Sequence, residues 1–279
     1  MQVLETVADM REAREKILGR ISLVPTMGAL HAGHEELLER ARAVSDVVLA
    51  SLFVNPTQFA PGEDFKGYPR DPDRDLGIFE RHGVEAVFAP GVEEMYPEGD
   101  VTRVDPGPIG AVLEGAHRPG HFVGVATVVT KLFNVVRPHA ALFGEKDAQQ
   151  FRIIRRLNED LRLGIEIVGV PTVRADDGLA LSSRNAYLAG ENRRAATVLY
   201  RALVATRKAW EDGVRDAGML RQCMHDALAS EPLAKPDYVS VADPETLQEL
   251  DLADGSALAS LAVRVGPARL IDNFLLTDG

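Results

Sequence analysis

Short runs rich in β-branched residues alternate with stretches of helical periodicity through the first two thirds of the chain. Such an alternation is typical of a parallel sheet whose strands are joined by helices. Five runs have the composition expected of these strands: "ISLVP" (21–25), "VVLASLFVN" (47–55), "VEAVFAP" (84–90), "AALF" (140–143) and "IEIVGV" (165–170). We therefore predict an α/β fold for this part of the chain.

Two of the connecting helices can be placed from their apolar positions. One is predicted to start near His34, because Leu37, Leu38, Ala41 and Val44 form a single apolar stripe. A later helix is predicted from the stripe Phe122, Val125, Val129, Leu132 and Val136, and Pro138 should end it.

The alternation of strand-like and helical stretches stops after residue 174. A polar connection, "RADDGLALSSRNAYLAG" (174–190), leads into two Ala-rich and Arg-rich helical stretches around 190–230. Three short strand-like runs follow: "YVSVAD" (238–243), "LASLAVRV" (258–265) and "LIDNFLL" (270–276). We predict a nucleotide-binding and substrate-binding domain over 1–174 and a smaller α+β domain over 175–279.

Composition narrows the classes of function. A formal net charge of -11 argues against a broad nucleic-acid surface, which depends on many cations meeting phosphates. No apolar run approaches the roughly 20 residues that a membrane span requires. The single cysteine, Cys223, can form no internal disulfide, and the N-terminus lacks the pattern of a secretory signal. We expect a cytoplasmic protein without nucleic-acid or membrane partners.

The stretch "PTMGALHAGHEELLERA" (25–41) joins the first predicted strand to the first predicted helix. Gly28 and Gly33 allow close backbone approach, and the N–H groups of a helix N-terminus favour anions. His31 and His34 add donors whose charge is adjustable near neutral pH. The pattern predicts a polyphosphate site, although helix capping by one histidine, with the other in solvent, accounts for the same residues structurally.

Several other kinds of site fit this stretch less well. Zinc lacks a third ligand at a suitable spacing. The sequence "GEKD" (144–147) lacks the Walker A pattern, and no G-x-G-x-x-G follows the first strand, which argues against P-loop kinases and dinucleotide dehydrogenases. Nucleotidyl transfer, in which the α-phosphate is attacked and pyrophosphate leaves, is the reaction class that remains.

A second polar stretch, "FVNPTQFAPGEDFKGYPRDPDRD" (53–75), follows the second predicted strand. The amides of Asn55 and Gln58 are suited to orienting a hydroxylated substrate without adding charge. A turn signal explains Asn55 before Pro56 equally well. The acidic "DPDRD" (71–75) is interpreted as a solvated helix start.

The third stretch, "LFGEKDAQQFRIIRRL" (142–157), ends a strand and opens a helix. Lys146 is suited to phosphate, Asp147 to a ribose hydroxyl or a magnesium ion, and Gln150 to a substrate. Helix capping by Asp147 is an equally good structural explanation. It leaves Lys146 unexplained, because a cation opposes the dipole of a helix N-terminus.

A fourth stretch, "GLALSSRNAYL" (178–188), lies in the polar connection between the predicted domains. Ser182, Ser183 and Arg184 offer hydroxyls and a guanidinium to a leaving pyrophosphate. A plain loop has the same composition.

These stretches together resemble the pantothenate synthetase (pantoate:beta-alanine ligase) family of the nucleotidyltransferase superfamily. The resemblance rests on "PTMGALHAGH", "FVNPTQF", "EGAHRPGHFVGVATVV", "LFGEKDAQQ" and "VPTVRADDGLALSSRN", in the family's order over nearly the whole chain. It implies a Rossmann-like N-terminal domain, ATP as a substrate with Mg2+, pantoate and beta-alanine as the other substrates, and a homodimer.

The resemblance also implies roles for individual residues. His34 would be the general acid or phosphate-stabilising histidine with His31 beside it, and Lys146 and Arg184 would share in catalysis. Gln58 and Gln150 would hold pantoate, Gln58 would lie close to beta-alanine, and Asn55 and Arg118 would border the substrate pocket. The ATP contacts would come from Met27, Gly28, Ala29, Leu30, His31, Ala32, Gly33, His34, Gly144, Glu145, Lys146, Asp147, Val173, Leu181, Ser182, Ser183 and Arg184. No protein ligands of the metal are assigned.

The implied reaction passes through a pantoyl adenylate, which must be shielded from water. We expect the Gly-rich and Pro-rich loop from Pro61 to Pro72 to act as a flap. Ala148 stands where the family often has an aromatic residue and Leu181 where methionine is usual, so altered packing is expected there. Another adenylyl or cytidylyl transferase and a non-catalytic nucleotide-binding regulator are the competing interpretations.

Overall fold

The computed structural model describes residues 1–60 and 62–278, and a six-stranded parallel sheet organises the first part of the chain. The strands are β1 (Gln2–Leu4), β2 (Ile21–Thr26), β3 (Val47–Leu52), β4 (Ala86–Phe88), β5 (Ala140–Gly144) and β6 (Glu166–Val170). The helices are α1 (Val7–Lys16), α2 (Ala32–Val44), α3 (Pro72–Arg81), α4 (Val92–Met95), α5 (Glu114–His117), α6 (His121–Val136) and α7 (Ala148–Asp160). The predicted α/β fold is confirmed, and β1 is a strand that the sequence patterns did not indicate.

The strand order reverses beside β2. The sheet runs β1-β4-β3-β2-β5-β6, so the chain moves outward from β2 through β3 and β4 and later places β5 on the other side of β2. β2 pairs in parallel with both β3 and β5. Ligands of open α/β sheets bind at the carboxyl ends of the strands where the order reverses. The turn that carries His31 and His34 follows β2 and therefore lies at that position.

Helices cover both faces of this sheet, because successive strand residues point to opposite sides. Leu23 of β2 packs in one buried cluster and its neighbour Val24 in another. The first cluster includes residues of α1, α6 and α7: Met10, Phe122, Val125, Val129, Leu132, Ile153 and Ile154. The second includes residues of α2 and α3: Leu37, Leu38, Ala41, Ile78 and Phe79. The helices predicted near His34 and before Pro138 are both confirmed.

The C-terminal part forms its own core on an antiparallel sheet. The strands β7 (Ala234–Ala242), β8 (Ser256–Val265) and β9 (Ala268–Thr277) pair in that order. The helices are α8 (Gly190–Ala195), α9 (Val198–Glu211) and α10 (Ala217–Ala229), and their apolar residues pack with those of the sheet. The predicted smaller α+β domain is confirmed. None of the described helices combines the length and apolar character needed to cross a membrane.

The compact units differ in detail from the division predicted between residues 174 and 175. The first unit comprises 1–110, 118–145 and 150–171, and the second comprises 111–117, 146–149 and the chain from Thr172 onward. Gly279, the end of the predicted second domain, lies outside the described residues. Within the second unit, Arg269 of β9 donates to both carboxylate oxygens of Glu114 in the insertion 111–117, at 2.6 and 2.8 Å. Gln149 joins them by accepting from the Glu114 N–H at 3.0 Å.

The close packing of α6 on the short 3-10 helix Pro56–Gln58 generates a stability prediction. A Cβ added at Gly124 would lie 2.3 Å from the main-chain oxygen of Thr57, which cannot move away as a flexible side chain can. We expect Gly124→Ala to lower the free energy of unfolding, measured in urea, by about 1–3 kcal/mol. Gly77→Ala on α3 is the matched control, since the added carbon meets only Arg81 Nη1 at 3.7 Å. Equal stability of the two variants would contradict the predicted clash.

Candidate active site

A buried carboxylate holds the turn between β2 and α2. Gly28 and Ala29 have positive φ angles of 86° and 52°, a region that favours glycine. The main-chain N–H groups of Ala29 and Leu30 donate to the two carboxylate oxygens of Asp75 on α3, each at 2.8 Å. Because Asp75 is only 1% exposed, these bonds are shielded from water. They fix the path of the chain into α2.

His31 caps α2, and His34 stands on the first helical turn. The Gly33 N–H donates to His31 Nδ1 at 3.1 Å, and the His31 N–H donates to His34 Nδ1 at 3.3 Å. A backbone N–H can only donate, so each neutral imidazole must carry its proton on Nε2. The ring centroids lie 4.2 Å apart. Capping by His31 is therefore observed, and it sets which nitrogen of each ring is the donor.

The segment after β3 brings Gln58 next to the turn after β2. Gln58 Nε2 donates to Met27 Sδ at 3.1 Å. On the other side of the same carboxamide, Asn55 Nδ2 donates to Gln58 Oε1 at 3.0 Å. The structure therefore joins three residues that the sequence predicted for the site, from segments that follow neighbouring strands.

Arg118, which was predicted to border the substrate pocket, is paired with an acidic residue of the predicted flap. Its Nε and Nη2 donate to the two carboxylate oxygens of Glu63, both at 2.7 Å. Burial raises the pKa of Glu63, but the hydrogen bonds and charge of Arg118 outweigh it and hold that pKa below its ordinary value. Arg118 Nη1 also lies 3.0 Å from His121 Nε2, and His121 Nδ1 lies 2.8 Å from the Gln58 carbonyl oxygen.

The segment after β5 contains predicted residues of both units. In the first unit, the Glu145 N–H donates to the Val170 oxygen at 2.9 Å. In the second unit, Lys146 Nζ lies 3.7 Å from Asp147 Oδ1. The main-chain oxygen of Lys146 accepts a hydrogen bond from Asn273 Nδ2 at 2.9 Å, so β9 helps to fix the backbone that carries this lysine.

Hydrogen bonds to main-chain groups shape the segment 173–187 of the second unit. The Leu181 N–H donates to the Val173 oxygen at 3.0 Å, which places these two predicted residues side by side. Ser182 caps the 3-10 helix Ser183–Tyr187, and its Oγ accepts from the Arg184 N–H at 3.3 Å. The segment therefore contains a capped 3-10 helix, which its composition alone did not indicate.

The predicted site residues belong to two groups. The first unit holds Met27, Gly28, Ala29, Leu30, His31, Ala32, Gly33, His34, Asn55, Gln58, Arg118, Gly144, Glu145 and Gln150. The second holds Lys146, Asp147, Val173, Leu181, Ser182, Ser183 and Arg184. Their roles toward a ligand stay predictions.

Two residues that shape this site were not found from the sequence. Asp75 was included in a solvated helix start, which is wrong for this residue because its carboxylate is buried beneath the turn at Gly28. A signal for it exists, since Asp75 shares a helical face with the buried Ile78 and Phe79. Tyr96 donates its hydroxyl to Asn55 Oδ1 at 2.8 Å, and no local pattern marks it.

Comparison with known proteins gives a match over nearly the whole chain. The sequence profile of the pantoate-beta-alanine ligase family matches residues 2–275. The pantothenate synthetase of Roseiflexus castenholzii is 56% identical over 276 residues, which cover 99% of each chain. That of Chloroflexus aurantiacus is 58% identical over 280 residues, covering 99% of this chain and 98% of the relative.

Solved structures agree with these relatives. The pantothenate synthetase of Thermus thermophilus superposes with a TM-score of 0.94 at 51% identity, covering 98% of this chain and 99% of that one. The pantoate-beta-alanine ligase of Francisella tularensis, solved with beta-gamma ATP and beta-alanine, superposes with a TM-score of 0.81 at 34% identity. That match covers 99% of this chain and 97% of the other.

The buried carboxylate of Asp75 can be tested with an isosteric change. Asp75→Asn replaces an acceptor oxygen with a donor that faces a main-chain N–H, so one N–H of the turn loses its partner. We expect the free energy of unfolding to fall by roughly 1–3 kcal/mol in a urea titration. Asp73→Asn, on the exposed side of the same helix, should change it by less than about 1 kcal/mol. A loss no larger at Asp75 than at Asp73 would remove the role assigned to the buried carboxylate.

Proposed function

The chain belongs to the pantoate-beta-alanine ligase family, and from this membership we propose how its residues carry out the reaction. The protein is a ligase that uses ATP to join pantoate and beta-alanine. In the proposed sequence, a carboxylate oxygen of pantoate attacks the α-phosphorus of ATP and pyrophosphate leaves. The amine of beta-alanine then attacks the pantoyl carbonyl, loses a proton and displaces AMP, so that an amide bond forms.

The observation that carries the proposal is the pair of imidazoles at the start of α2. Both rings have Nε2 as their donor nitrogen, and both stand at the N-terminus of a helix that follows β2, where the strand order reverses. Helix N-terminal N–H groups and imidazole donors suit phosphate oxygens. We assign residues 27–34 to ATP, with His34 stabilising the charge that grows on the α-phosphate and leaving group.

For residues of the second unit, roles toward ATP are proposed from the family resemblance alone. Lys146 would donate to phosphate oxygens, and its neighbour Asp147 offers the carboxylate for Mg2+ or a ribose hydroxyl. Ser182, Ser183 and Arg184 would donate to the departing pyrophosphate. Donors aimed at oxygens where charge develops usually give the largest single contribution to such catalysis. Gly144, Glu145, Val173 and Leu181 would supply main-chain and apolar contacts to the nucleotide.

We assign the binding of pantoate to the carboxamide side chains of Gln58 and Gln150. Gln58 and Gln150 bind without adding charge, which suits a hydroxy acid that already carries a carboxylate. Arg118 borders this pocket, where its main contact is the carboxylate of Glu63. The Gln58 carbonyl oxygen is also held by His121, so the backbone and the side chain of Gln58 are each fixed.

Three further properties belong to the proposal. Mg2+ supplies charge neutralisation of the ATP phosphates, and a half-exposed carboxylate such as Asp147 suits a hard cation that keeps several waters. A homodimer and a cytoplasmic location are proposed from the family resemblance. Light scattering coupled to size-exclusion chromatography measures the first of these directly.

Replacement of His34 tests the assignment of the imidazole donor. His34→Asn keeps an acceptor near the Nδ1 position and removes the Nε2 donor, whereas His34→Gln places an amide N–H near Nε2. We expect His34→Asn to lower kcat by about 100-fold to 1000-fold, with partial recovery in His34→Gln. The assay measures pantoate-dependent release of pyrophosphate and formation of AMP.

The exposed His225 of α10 provides the matched control, and His225→Ala should keep wild-type turnover. His34→Asn turnover within tenfold of wild type would exclude the assigned role. The same assay separates the competing functions, because a regulator releases no pyrophosphate and a kinase forms ADP. Another nucleotidyl transferase would release pyrophosphate without forming pantothenate when beta-alanine is added.

The predicted flap is tested through the pair between Glu63 and Arg118. Pro61 lies outside the described residues, and the proposal concerns residues 62–71, where Glu63 anchors the segment. Glu63→Gln loses the charge of this pair, so we expect faster proteolysis of the segment and more hydrolysis of the adenylate. The readout is the ratio of AMP to pantothenate formed, which should rise above that of wild type, while exposed Glu80→Gln leaves it unchanged.

The lowered pKa of Glu63 adds a pH dependence with a definite sign. A depressed folded-state pKa means that the pair stabilises the segment above the ordinary carboxyl pKa and ceases to do so as pH falls through the folded value. The rate of pepsin cleavage within 62–71, divided by the rate for an unfolded peptide at the same pH, should therefore rise in the wild type as pH falls below the ordinary carboxyl pKa of about 4.3. In Glu63→Gln this ratio should already be high above that pH, and the same profile of the ratio in both proteins would contradict the assignment.

A further inference from the structure

Asn55 lies beneath Gln58, and its carboxamide has a partner on every side. It is 1% exposed. Its Nδ2 donates to Gln58 Oε1 at 3.0 Å and to the Gly124 oxygen at 3.2 Å. Its Oδ1 accepts from the N–H of Thr57 at 3.3 Å and from the hydroxyl of Thr57 at 2.9 Å. The side chain is therefore an internal connection of the fold.

Two main-chain groups determine which end of the Asn55 carboxamide is nitrogen. The Thr57 N–H can only donate, so the atom facing it must be Oδ1. The Gly124 carbonyl can only accept, so the atom facing it must be Nδ2. Gly124 can lie this close to the main chain of Thr57 because it has no Cβ. The orientation of Asn55 is therefore set by the backbone.

The orientation of Asn55 determines the orientation of the Gln58 carboxamide. Since Asn55 presents an N–H to Gln58, the Gln58 atom that faces it must be the oxygen. Gln58 Nε2 is consequently on the opposite side, where it donates to Met27 Sδ at 3.1 Å. A thioether sulfur is a weak acceptor, so a substrate oxygen can replace it at little cost.

Tyr96 strengthens the same arrangement from the other end. Its hydroxyl donates to Asn55 Oδ1 at 2.8 Å, and burial raises the pKa of this phenol, so it keeps its proton at neutral pH. Lys131 lies over the ring, 4.7 Å from its centroid, and is itself paired with Asp100. These contacts hold the phenol against Asn55.

We propose that Tyr96 and Asn55 are positioning residues that fix the carboxamide of Gln58 with its N–H side toward the substrate. The Gln58 N–H beside Met27 then selects an oxygen acceptor, a hydroxyl or carboxylate of pantoate, and disfavours the ammonium group of beta-alanine. This inference rests on the proposed assignment of Gln58 to pantoate. It adds to that assignment the polarity of the recognition and the residues that set it.

The test compares variants that weaken or reverse the hydrogen bonds from Tyr96 to Asn55 and from Asn55 to Gln58. Tyr96→Phe removes one donor to Asn55 and leaves the ring in place. Asn55→Asp removes the Nδ2 donor, so the Gln58 N–H turns toward the new carboxylate and the Gln58 oxygen turns toward Met27. In pantoate-dependent exchange between pyrophosphate and ATP, we expect the KM for pantoate to rise about 3-fold to 10-fold in Tyr96→Phe and about 10-fold to 100-fold in Asn55→Asp. The KM for ATP should change less than about threefold in both.

A double-mutant cycle separates positioning from a general structural effect. If Tyr96 acts through Gln58, then Tyr96→Phe should not raise the KM for pantoate further in a Gln58→Ala background, because the group it positions is gone. A pantoate analogue that lacks one hydroxyl gives a second readout. The wild type should discriminate against this analogue more strongly than either positioning variant. Tyr200→Phe, a tyrosine of the second unit that packs on Phe274, serves as the control.

The outcomes distinguish this inference from the proposed function. Absence of pantoate-dependent exchange in the wild type would refute the function itself. With an active wild type, an unchanged KM for pantoate in Tyr96→Phe would overturn the positioning role, and so would equal rises in the KM for ATP and pantoate. Additive effects in the Gln58→Ala background would also overturn it. If Asn55→Asp fails to fold in a urea titration, Tyr96→Phe and the cycle decide alone.

Discussion

The site in the first unit depends on the need of buried main-chain groups for hydrogen-bond partners. At the carboxyl end of a strand the sheet ladder stops, and the N–H and C=O groups beyond it must find other partners. Here side chains supply them: Asp75 accepts from the N–H groups of Ala29 and Leu30, and Asn55 accepts from that of Thr57. Because a backbone group is only a donor or only an acceptor, each such bond also fixes the polarity of the side chain.

In the second unit, a buried ion pair attaches one short insertion to the C-terminal sheet and a hydrogen bond attaches the other. Burial alone would lower the pKa of Arg269, but its hydrogen bonds and the charges of Glu114 and Asp237 raise it above the ordinary value. Breaking a buried pair by removing one partner leaves an uncompensated charge, which is strongly destabilising. The insertion 111–117 is therefore firmly attached to β9. The neighbouring insertion carries Lys146, and its backbone is held by Asn273 of the same strand.

Sequence patterns predicted the strands and helices that have a local signal and missed the features that depend on contacts between distant residues. The five β-branched runs and the stripes of α2 and α6 are periodic, so local reasoning finds them. β1 has only three residues and pairs with β4, far away in sequence, so neither length nor alternation marks it. Asp75 and Tyr96 act on residues 45 and 41 positions away, and no local pattern reports such partners. The predicted boundary near 174 could not include the insertions 111–117 and 146–149, because Glu114 pairs with Arg269, 155 positions away, and Lys146 with Asn273, 127 positions away.

His31 caps a helix, and this structural role is compatible with the proposed role of its imidazole as a donor to phosphate. A capping role uses Nδ1 of His31, and the cap in turn offers the His31 N–H to Nδ1 of His34. Each of these bonds forces the ring proton onto Nε2. If the imidazoles were simply solvated, the two tautomers would interconvert and only part of the population would present a donor at Nε2. The cap therefore fixes the donor nitrogen of both rings, and the proposed stabilisation of phosphate charge would use donors that the same two hydrogen bonds have already oriented.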